Sequence, residues 1–431
     1  MAGPAPAQGR IHVVGAGLAG LACAVQLARL GRKVSLYEAS PQAGGRCRSY
    51  FDETLGRVID NGNHIFLSGN WETIAYLAEI DAEEQVIRAK DARLPFLDLE
   101  SGEAWRIGPS RLPLPFWLLD RSSRVPGESL LAHFRLSRLA WAKTGDTVAE
   151  CLGGESAMTR RLWRPLSRAI MNAEPEEASA RLLWRTLRHS WLKGARACHP
   201  MLAKDSLSAT FVDPALDLLK RRNVRILFGH RLSDIVIRND RIRDLRFGDA
   251  TIELANADIL ILAVPPNSAA ALLPQISPPL DSRPIVNAHI RLPEIAGSAA
   301  RRLPGGGRFL GLVGGTADWI FLRGSVASLT RSAATELVDL DRDTLAQLFW
   351  SDAARVLDLP SGSPPPVRIV KERRATFAQT PQSLSARSGT KTPCQNLFLA
   401  GDWLDTGWPA TIEGAITSGR AAAWAAANAN R

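Results

Sequence analysis

Ile11-His12-Val13-Val14-Gly15-Ala16-Gly17-Leu18-Ala19-Gly20 is the stretch that decides the fold. Ile11–Val14 reads as a short buried strand, Leu18–Leu30 as a helix ended by Gly31, and Lys33–Glu38 as a second strand. That order is a βαβ unit and makes the chain α/β. Gly15, Gly17 and Gly20 stand at GxGxxG spacing, a pattern that gains meaning because it follows a strand and opens a helix. Gly15 permits the tight turn, Gly17 lets the backbone approach a pyrophosphate, and Gly20 lets the helix pack closely on the sheet. The free N–H groups of the helix N-terminus then face the phosphates. Glu38 ends the second strand, where a carboxylate accepts from ribose hydroxyls and disfavours a 2′-phosphate, so NADP fits poorly. A glycine-rich turn without a ligand is the alternative, and the complete βαβ context weighs against it.

The remaining composition sets the bounds. A chain of 431 residues suffices for two lobes and a substantial core, and 45% hydrophobic content is ordinary for a globular protein. No stretch is long and apolar enough to span a bilayer, and the N-terminus lacks a basic region followed by an apolar core, so no signal peptide is expected. Cys23, Cys47, Cys151, Cys198 and Cys394 are scattered, with no CxxC pair. A metal cluster and a disulfide framework are therefore not expected, and a reducing cytoplasm is. The net charge of +10 fits a solvated basic surface, nucleic acid or an anionic membrane. No nucleic-acid motif accompanies it, so a nucleic-acid partner is not expected.

Further along, Ser206–Arg221 reads as a helix with Ser206 as N-cap. Val224–Phe228, Leu232–Arg238, Ile242–Arg246 and Ile259–Ala263 alternate like strands, and Val264-Pro265-Pro266 stops the last. Asn396–Ala400 reads as a buried strand and Thr411–Asn428 as an Ala-rich helix. Between these blocks, Trp71 to Asp205 is rich in Trp, Leu and Arg, and Asn267 to Gly389 mixes strands with a helix around Asp341–Leu357. The layout predicts a discontinuous dinucleotide-binding domain (10–70, 205–266 and 390–431) interrupted by a substrate domain (71–204 and 267–389).

Gly44-Gly45-Arg46 follows Glu38 closely, with Arg48 two residues on. Paired glycines make a tight loop, and an arginine neutralises pyrophosphate charge. This arrangement resembles the flavin amine oxidase and phytoene desaturase superfamily, in which the same stretch holds the FAD pyrophosphate. Leu399-Ala400-Gly401-Asp402, and Gly407-Trp408-Pro409-Ala410-Thr411-Ile412-Glu413-Gly414, resemble the superfamily's acid at a strand end and its terminal helix, whose N-terminus points at the flavin pyrimidine. The resemblance implies a Rossmann-like FAD-binding lobe (GR2-type) with a discontinuous α+β substrate lobe. The cofactor-binding residues it implies are Gly15, Gly17, Leu18, Ala19, Gly20, Glu38, Ala39, Gly44, Gly45, Arg46, Gly62, Asn63, His64, Leu232, Gly401, Asp402, Pro409, Ala410, Thr411 and Ile412. No cysteine lies near Trp408, so the FAD is expected to be non-covalent.

Asp60-Asn61-Gly62-Asn63-His64, the stretch PLSRAIMNAEPEEASAR from Pro165 to Arg181, Phe211 to Leu216, Arg373 to Phe377 and Asp405 to Pro409 narrow the resemblance. Together they look like the squalene-associated flavoprotein family of bacterial hopanoid synthesis, the hydroxysqualene dehydroxylases. The chain departs from the family's pattern at Asn63, where Gln is expected, and at Met171-Asn172-Ala173, where Leu-Asn-Thr is expected. The resemblance implies hydride transfer from reduced FAD to an allylic carbon, with the hydroxyl leaving as water, and an external electron donor for the flavin. Hydroxide leaves poorly, so a proton donor is needed. His64 is the first candidate, with a structural histidine as the alternative. Asp60 is the second, and Asp405 and Glu413 are weaker, the last also suited to capping backbone groups.

A C30 hydrocarbon substrate must come from a membrane. Leu112-Pro113-Leu114-Pro115-Phe116-Trp117-Leu118-Leu119, flanked by Arg111, Arg121 and Arg124, is either an interfacial patch or a core segment. The first reading would put the protein against the inner face of the cytoplasmic membrane. Trp163, Trp184 and Trp191 read as core or as lining of a lipid pocket. The rival functions are a carotenoid or phytoene-type desaturase running the flavin oxidatively, an amine oxidase, and a non-catalytic flavin-binding escort.

Overall fold

The computed structural model describes residues 9–109, 124–292, 303–304 and 306–429. The apolar patch at 112–119 lies outside the described residues.

Five parallel strands form the first sheet, in the order Arg225–Leu227, Val34–Tyr37, Ile11–Val14, Ile259–Leu262 and Leu397–Leu399. Both faces are covered, which is why the central strands carry nearly unbroken apolar runs. Ile11, Val13, Leu36, Ile259 and Ile261 pack toward the first helix, Leu18–Arg29, and the terminal helix, Ile412–Asn428. Val14, Tyr37, Leu260, Leu262, Leu397 and Leu399 pack on the other side, with Ile235, Ile242, Leu245 and Phe247 of a three-stranded meander. Gly20 and Gly419 permit the closest approaches. A Cβ on Gly20 would lie 1.8 Å from the Gly15 carbonyl oxygen, and one on Gly419 would lie 2.0 Å from that of Ala19.

The second sheet has seven strands in the order Val367–Phe377, Ser282–Arg291, Val326–Arg331, Trp319–Arg323, Phe309–Val313, Leu94–Asp98 and Ala104–Ile107. One face is apolar: Val286, Ala288, Ile290, Ala327 and Leu329 pack against Leu345, Phe349 and Ala353 of helix Arg342–Leu357. Period-two alternation turns Asn287, His289, Ser328 and Thr330 to the opposite face. Farther along that face Phe309, Trp319 and Phe321 join Phe96, Trp105, Trp163 and Trp191 in a core completed by helices Arg164–Met171 and Ala180–His189. Trp163 and Trp191 are therefore core residues, and Trp184 packs against the same cluster.

Element ends shift slightly from the sequence reading. The first helix stops at Arg29, one residue early, and Gly31 adopts φ +72° beyond it. Ser206 accepts from the Ala209 N–H at 3.1 Å, but the helix begins as a π-turn, Ser208–Val212, before Asp213–Arg221. Thr159–Trp163 is a second π-turn, ahead of Arg164–Met171. Both run into a proline, Pro214 and Pro165, whose missing N–H removes a regular ladder bond. Pro266 opens a short helix, Pro266–Leu272, rather than only stopping a strand. Among the described residues no helix is long and apolar enough to cross a membrane.

Candidate functional site

The glycine loops build a cradle at the carboxyl ends of the parallel strands. Gly15 turns with φ +104°, and Gly44 and Gly45 adopt φ +104° and +57°. The Gly44 N–H donates to the Ala16 carbonyl at 2.8 Å, so the two loops lie side by side. A Cβ built on Gly17 meets no atom within 4 Å, and one on Gly45 meets only Gly17 Cα at 3.4 Å. Gly17 is also the N-cap of the first helix and offers no side chain, leaving the N–H groups of the first turn unpaired by any cap. Open space above a bare helix N-terminus fits a pyrophosphate.

Glu38 closes one end. Its carboxylate accepts from the Ala16 N–H at 2.7 Å and from the Ser40 N–H and hydroxyl at 2.9 and 3.0 Å. Ala39 beside it is half-buried. The His230 N–H donates to the Glu38 carbonyl at 2.8 Å, which ties the segment leading to Leu232 against this end, where an adenosine would lie. Leu232 itself is buried.

At the other end the two halves of the chain meet through Arg46. Its guanidinium, assigned to the pyrophosphate from sequence, donates to both Asp402 oxygens at 2.7 Å and to the Ala375 carbonyl at 2.5 Å. Asp402 raises the pKa of Arg46 against the opposing pull of burial. Arg48 turns back onto the Gly45 carbonyl at 2.7 Å. Gly401, after the last strand, donates its N–H to Ser418 of the terminal helix at 2.9 Å. Thr411 caps that helix by accepting from the Gly414 N–H at 3.2 Å, and Ile412 opens it.

Two residues invisible to sequence reading hold this end. Arg387 is buried and donates to the carbonyls of Asp402, Trp403, Leu404 and Trp408, so one guanidinium shapes the whole loop before the terminal helix. Burial pushes its pKa down to about 10, with Asp405 and Asp402 opposing. Gln379, fully buried, accepts from the Ala410 N–H at 2.9 Å next to Pro409 and donates to the Met171 carbonyl at 2.7 Å. Each acts through backbone atoms distant in sequence, and no local pattern marks either.

Asn61–His64 leaves strand Arg57–Asp60 and crosses the polar face of the seven-stranded sheet. Asn63 donates to the Thr330 hydroxyl at 2.9 Å, Thr330 donates to Asn287 at 2.7 Å, and Asn287 donates to the Asn61 carbonyl at 3.4 Å. Gly62 packs here, 3.4 Å from the Asn287 amide if given a Cβ. His64 is half-buried, and desolvation pushes its imidazole down to about 4, Asp60 opposing and Arg46 assisting. It is neutral at neutral pH. Asp60 is fully engaged: one oxygen accepts from the Ser49 hydroxyl at 2.6 Å and the Leu207 N–H at 2.9 Å, the other from Arg323 at 2.6 Å. Through these contacts Asp60 fastens three segments together. Glu413 likewise accepts from the Glu72 N–H, the Thr73 N–H and the Thr73 hydroxyl, at 3.2, 2.9 and 2.6 Å, and so caps helix Trp71–Glu79 from outside.

The stretch from Pro165 to Arg181 is a junction. Asn172 adopts φ +51°, donates to the Arg283 carbonyl and Thr376 hydroxyl, and accepts from the Ala333 N–H. Arg168 binds Glu174 and Asp318, and Glu177 binds Arg283. These residues clamp the helices onto the second sheet.

A doubly covered parallel sheet, a glycine cradle on a helix N-terminus, an acid at the end of the second strand and a terminal helix closing the far end are the frame of an FAD-dependent oxidoreductase. The chain belongs to the flavin-containing amine oxidoreductase family, whose model matches residues 18–427. Within it, the chain is 40% identical to the hydroxysqualene dehydroxylase of Sinorhizobium fredii, over 96% of this chain and 97% of that one. Against the enzyme of the same name from Rhodopseudomonas palustris it is 42% identical, again over 96% and 97%. A zeta-carotene desaturase of Synechocystis is only 24% identical over 96% of each chain. Among solved structures, cyclohexylamine oxidase from Brevibacterium oxydans superposes with a TM-score of 0.67 at 16% identity, covering 98% of this chain and 100% of that one. That likeness concerns the fold alone.

Proposed function

We propose that the protein removes the hydroxyl of hydroxysqualene reductively, giving squalene. The observation that carries this reading is the end-to-end match, at 40% and 42% identity, to proteins named for that reaction, on a chain whose cradle fits FAD. Bound in reduced form, FAD supplies a hydride equivalent to the allylic carbon. The carbon–oxygen bond breaks, the hydroxyl leaves, and a proton taken up from solvent completes the water.

The chain's residues bind and orient. Gly15, Gly17 and the bare N-terminus of the first helix would receive the pyrophosphate, and the Glu38 carboxylate would receive the ribose. The Asn61–His64 loop is held by the Asn63–Thr330–Asn287 chain of hydrogen bonds. His64, as a neutral imidazole, offers an N–H to the departing oxygen rather than a stored proton. Asp60 positions that loop and is not the acid, because both its oxygens are occupied.

The test is anaerobic. Photoreduced protein is mixed with hydroxysqualene, and the flavin spectrum is followed while product is read by mass spectrometry. Squalene formed together with flavin reoxidation is expected. Reoxidation without squalene, or no reoxidation at all, overturns the reading.

A further inference from the structure

Helix Leu130–Phe134 continues as a 3₁₀ segment, Arg135–Trp141. Its inner face is satisfied: Leu139 is buried, and Ala132, Leu136 and Ala142 pack on the aromatic core. Its outer face is apolar as well. Leu131 is 78% exposed, Phe134 52% and Trp141 77%. Arg135 and Arg138 project between them, because residues three apart eclipse in a 3₁₀ turn, and Lys143 follows, all exposed. A helix apolar on two sides has one face that the described residues do not cover.

Helix Ala180–His189 packs beside this segment and adds a ridge. Arg181, Arg185 and Arg188 recur along its exposed side, followed by exposed Leu192 and Lys193. Neither 129–145 nor 180–199 contains an Asp or Glu, so the two elements concentrate a large part of the +10 net charge. Among the described residues no ion pair joins Arg135, Arg138, Lys143 or Arg188 to a carboxylate. The ridge ends at the FAD site: the His189 ring lies 5.3 Å from that of Trp408, and Arg185 reaches Asp405 at 3.8 Å.

We propose that this face docks on an anionic lipid bilayer. Leu131, Phe134 and Trp141 enter the interfacial zone, and the cations around them meet lipid phosphates. Interleaved aromatic and cationic side chains suit that boundary, where apolar depth and negative charge coincide. A second copy of the chain is a poor occupant, since two such faces repel. Docking here sets the loop before the terminal helix beside the membrane, where a water-insoluble isoprenoid resides. In that respect the surface rests on the proposed reaction, but the following test reads docking without turnover.

FAD-loaded protein is sedimented with vesicles of phosphatidylcholine alone, or with about one third phosphatidylglycerol. Sedimentation with the anionic vesicles is expected, at least about tenfold weaker without phosphatidylglycerol, and falling as added salt shortens the screening length. Phe134→Ser/Trp141→Ser and, separately, Arg135→Glu/Arg138→Glu each lower partitioning about tenfold or more, with flavin spectrum and melting temperature unchanged. Arg188→Glu/Lys193→Glu, on the neighbouring element, gives the same direction should either first pair fail to fold. Equal sedimentation with neutral vesicles, none with either, or folded variants that bind like the parent overturns the proposal. Those results leave the dehydroxylation reading standing, because squalene formation from detergent-dispersed substrate is measured apart.

Discussion

Arg46 grips Asp402 with both carboxylate oxygens at 2.7 Å, joining residues 356 positions apart across the cofactor cradle. The Arg46 side chain is 40% exposed, so solvent screening limits what the pair contributes to global stability. Its larger effect is on the shape of the site. Arg46→Ala and Asp402→Asn are each expected to raise the FAD dissociation constant about tenfold, roughly 1.4 kcal/mol, with little change in the melting temperature of the apoprotein. Fluorescence titration of apoprotein with FAD checks both. Equal affinity in either variant would show that the pair is incidental to the cofactor.

Two glycines three residues apart in the GxGxxG motif, Gly17 and Gly20, separate binding from folding. Gly17→Ala places its Cβ in space free of protein atoms to 4 Å, whereas Gly20→Ala drives it to 1.8 Å from the Gly15 carbonyl oxygen. Gly17→Ala is expected to leave a folded, soluble protein with FAD affinity lowered at least about a hundredfold, through collision with the pyrophosphate. Gly20→Ala is expected to fail at folding. Circular dichroism beside FAD content distinguishes them, and a Gly17→Ala protein that retained flavin would refute the cradle.

Glu413 is nearly buried at the foot of the terminal helix, and its pKa is raised by burial, against the pull of the Thr73 hydroxyl and backbone. Because it caps another helix, Glu413→Gln is expected to cost about 1–3 kcal/mol of stability while leaving turnover per bound flavin unchanged. Urea denaturation and single-turnover reoxidation measure the two. A large loss of turnover without loss of stability would instead make Glu413 part of the chemistry.

Burial pushes the imidazole of His289 from the ordinary 6.5 down to about 4, with Asp60 opposing. Between those values the unfolded chain binds a proton that the folded protein refuses. The contribution of neutral His289 is therefore complete above about pH 6.5 and is lost as the pH falls toward 4, up to about 3 kcal/mol. Denaturation midpoints at pH 7 and near pH 4.5 should differ more for the parent than for His289→Gln. Parallel pH dependence in the two proteins would show that other groups govern acid lability.

Legibility in the sequence followed the range of the interaction. Ile11–Val14 is a strand over the residues read from sequence, because a doubly covered parallel strand must be apolar throughout. The capped helix after Asp341 is equally plain, since Asp341 accepts from the Thr344 N–H only three residues on. Strand Ala250–Glu253 goes unread: three of its residues are exposed and none is buried, so no alternation forms. In the candidate site, the turns at Gly15, Gly44 and Gly45 are legible because their backbone geometry is set by local spacing. Arg387 and Gln379 are not, because their partners are backbone groups supplied by the tertiary fold. Asn172 stands between these cases. Its motif is visible in sequence, while its role as a clamp among the Arg283, Thr376 and Ala333 segments appears only in three dimensions.

The order of strands in the first sheet has a consequence for biosynthesis. Ile259–Leu262 pairs with Ile11–Val14 on one side and with Leu397–Leu399 on the other. During translation its outer edge stays open until more than a hundred further residues have emerged, and the first helix lacks its cover from Ile412–Asn428 for as long. A chain that has not yet made Leu397–Leu399 and Ile412–Asn428 lacks the Asp402 end of the cradle and presents a bare apolar sheet edge to the cell. Chaperone demand and the yield of active protein should depend on how quickly the codons between Leu262 and Leu397 are read, far more than on conditions met by the glycine motif at the start.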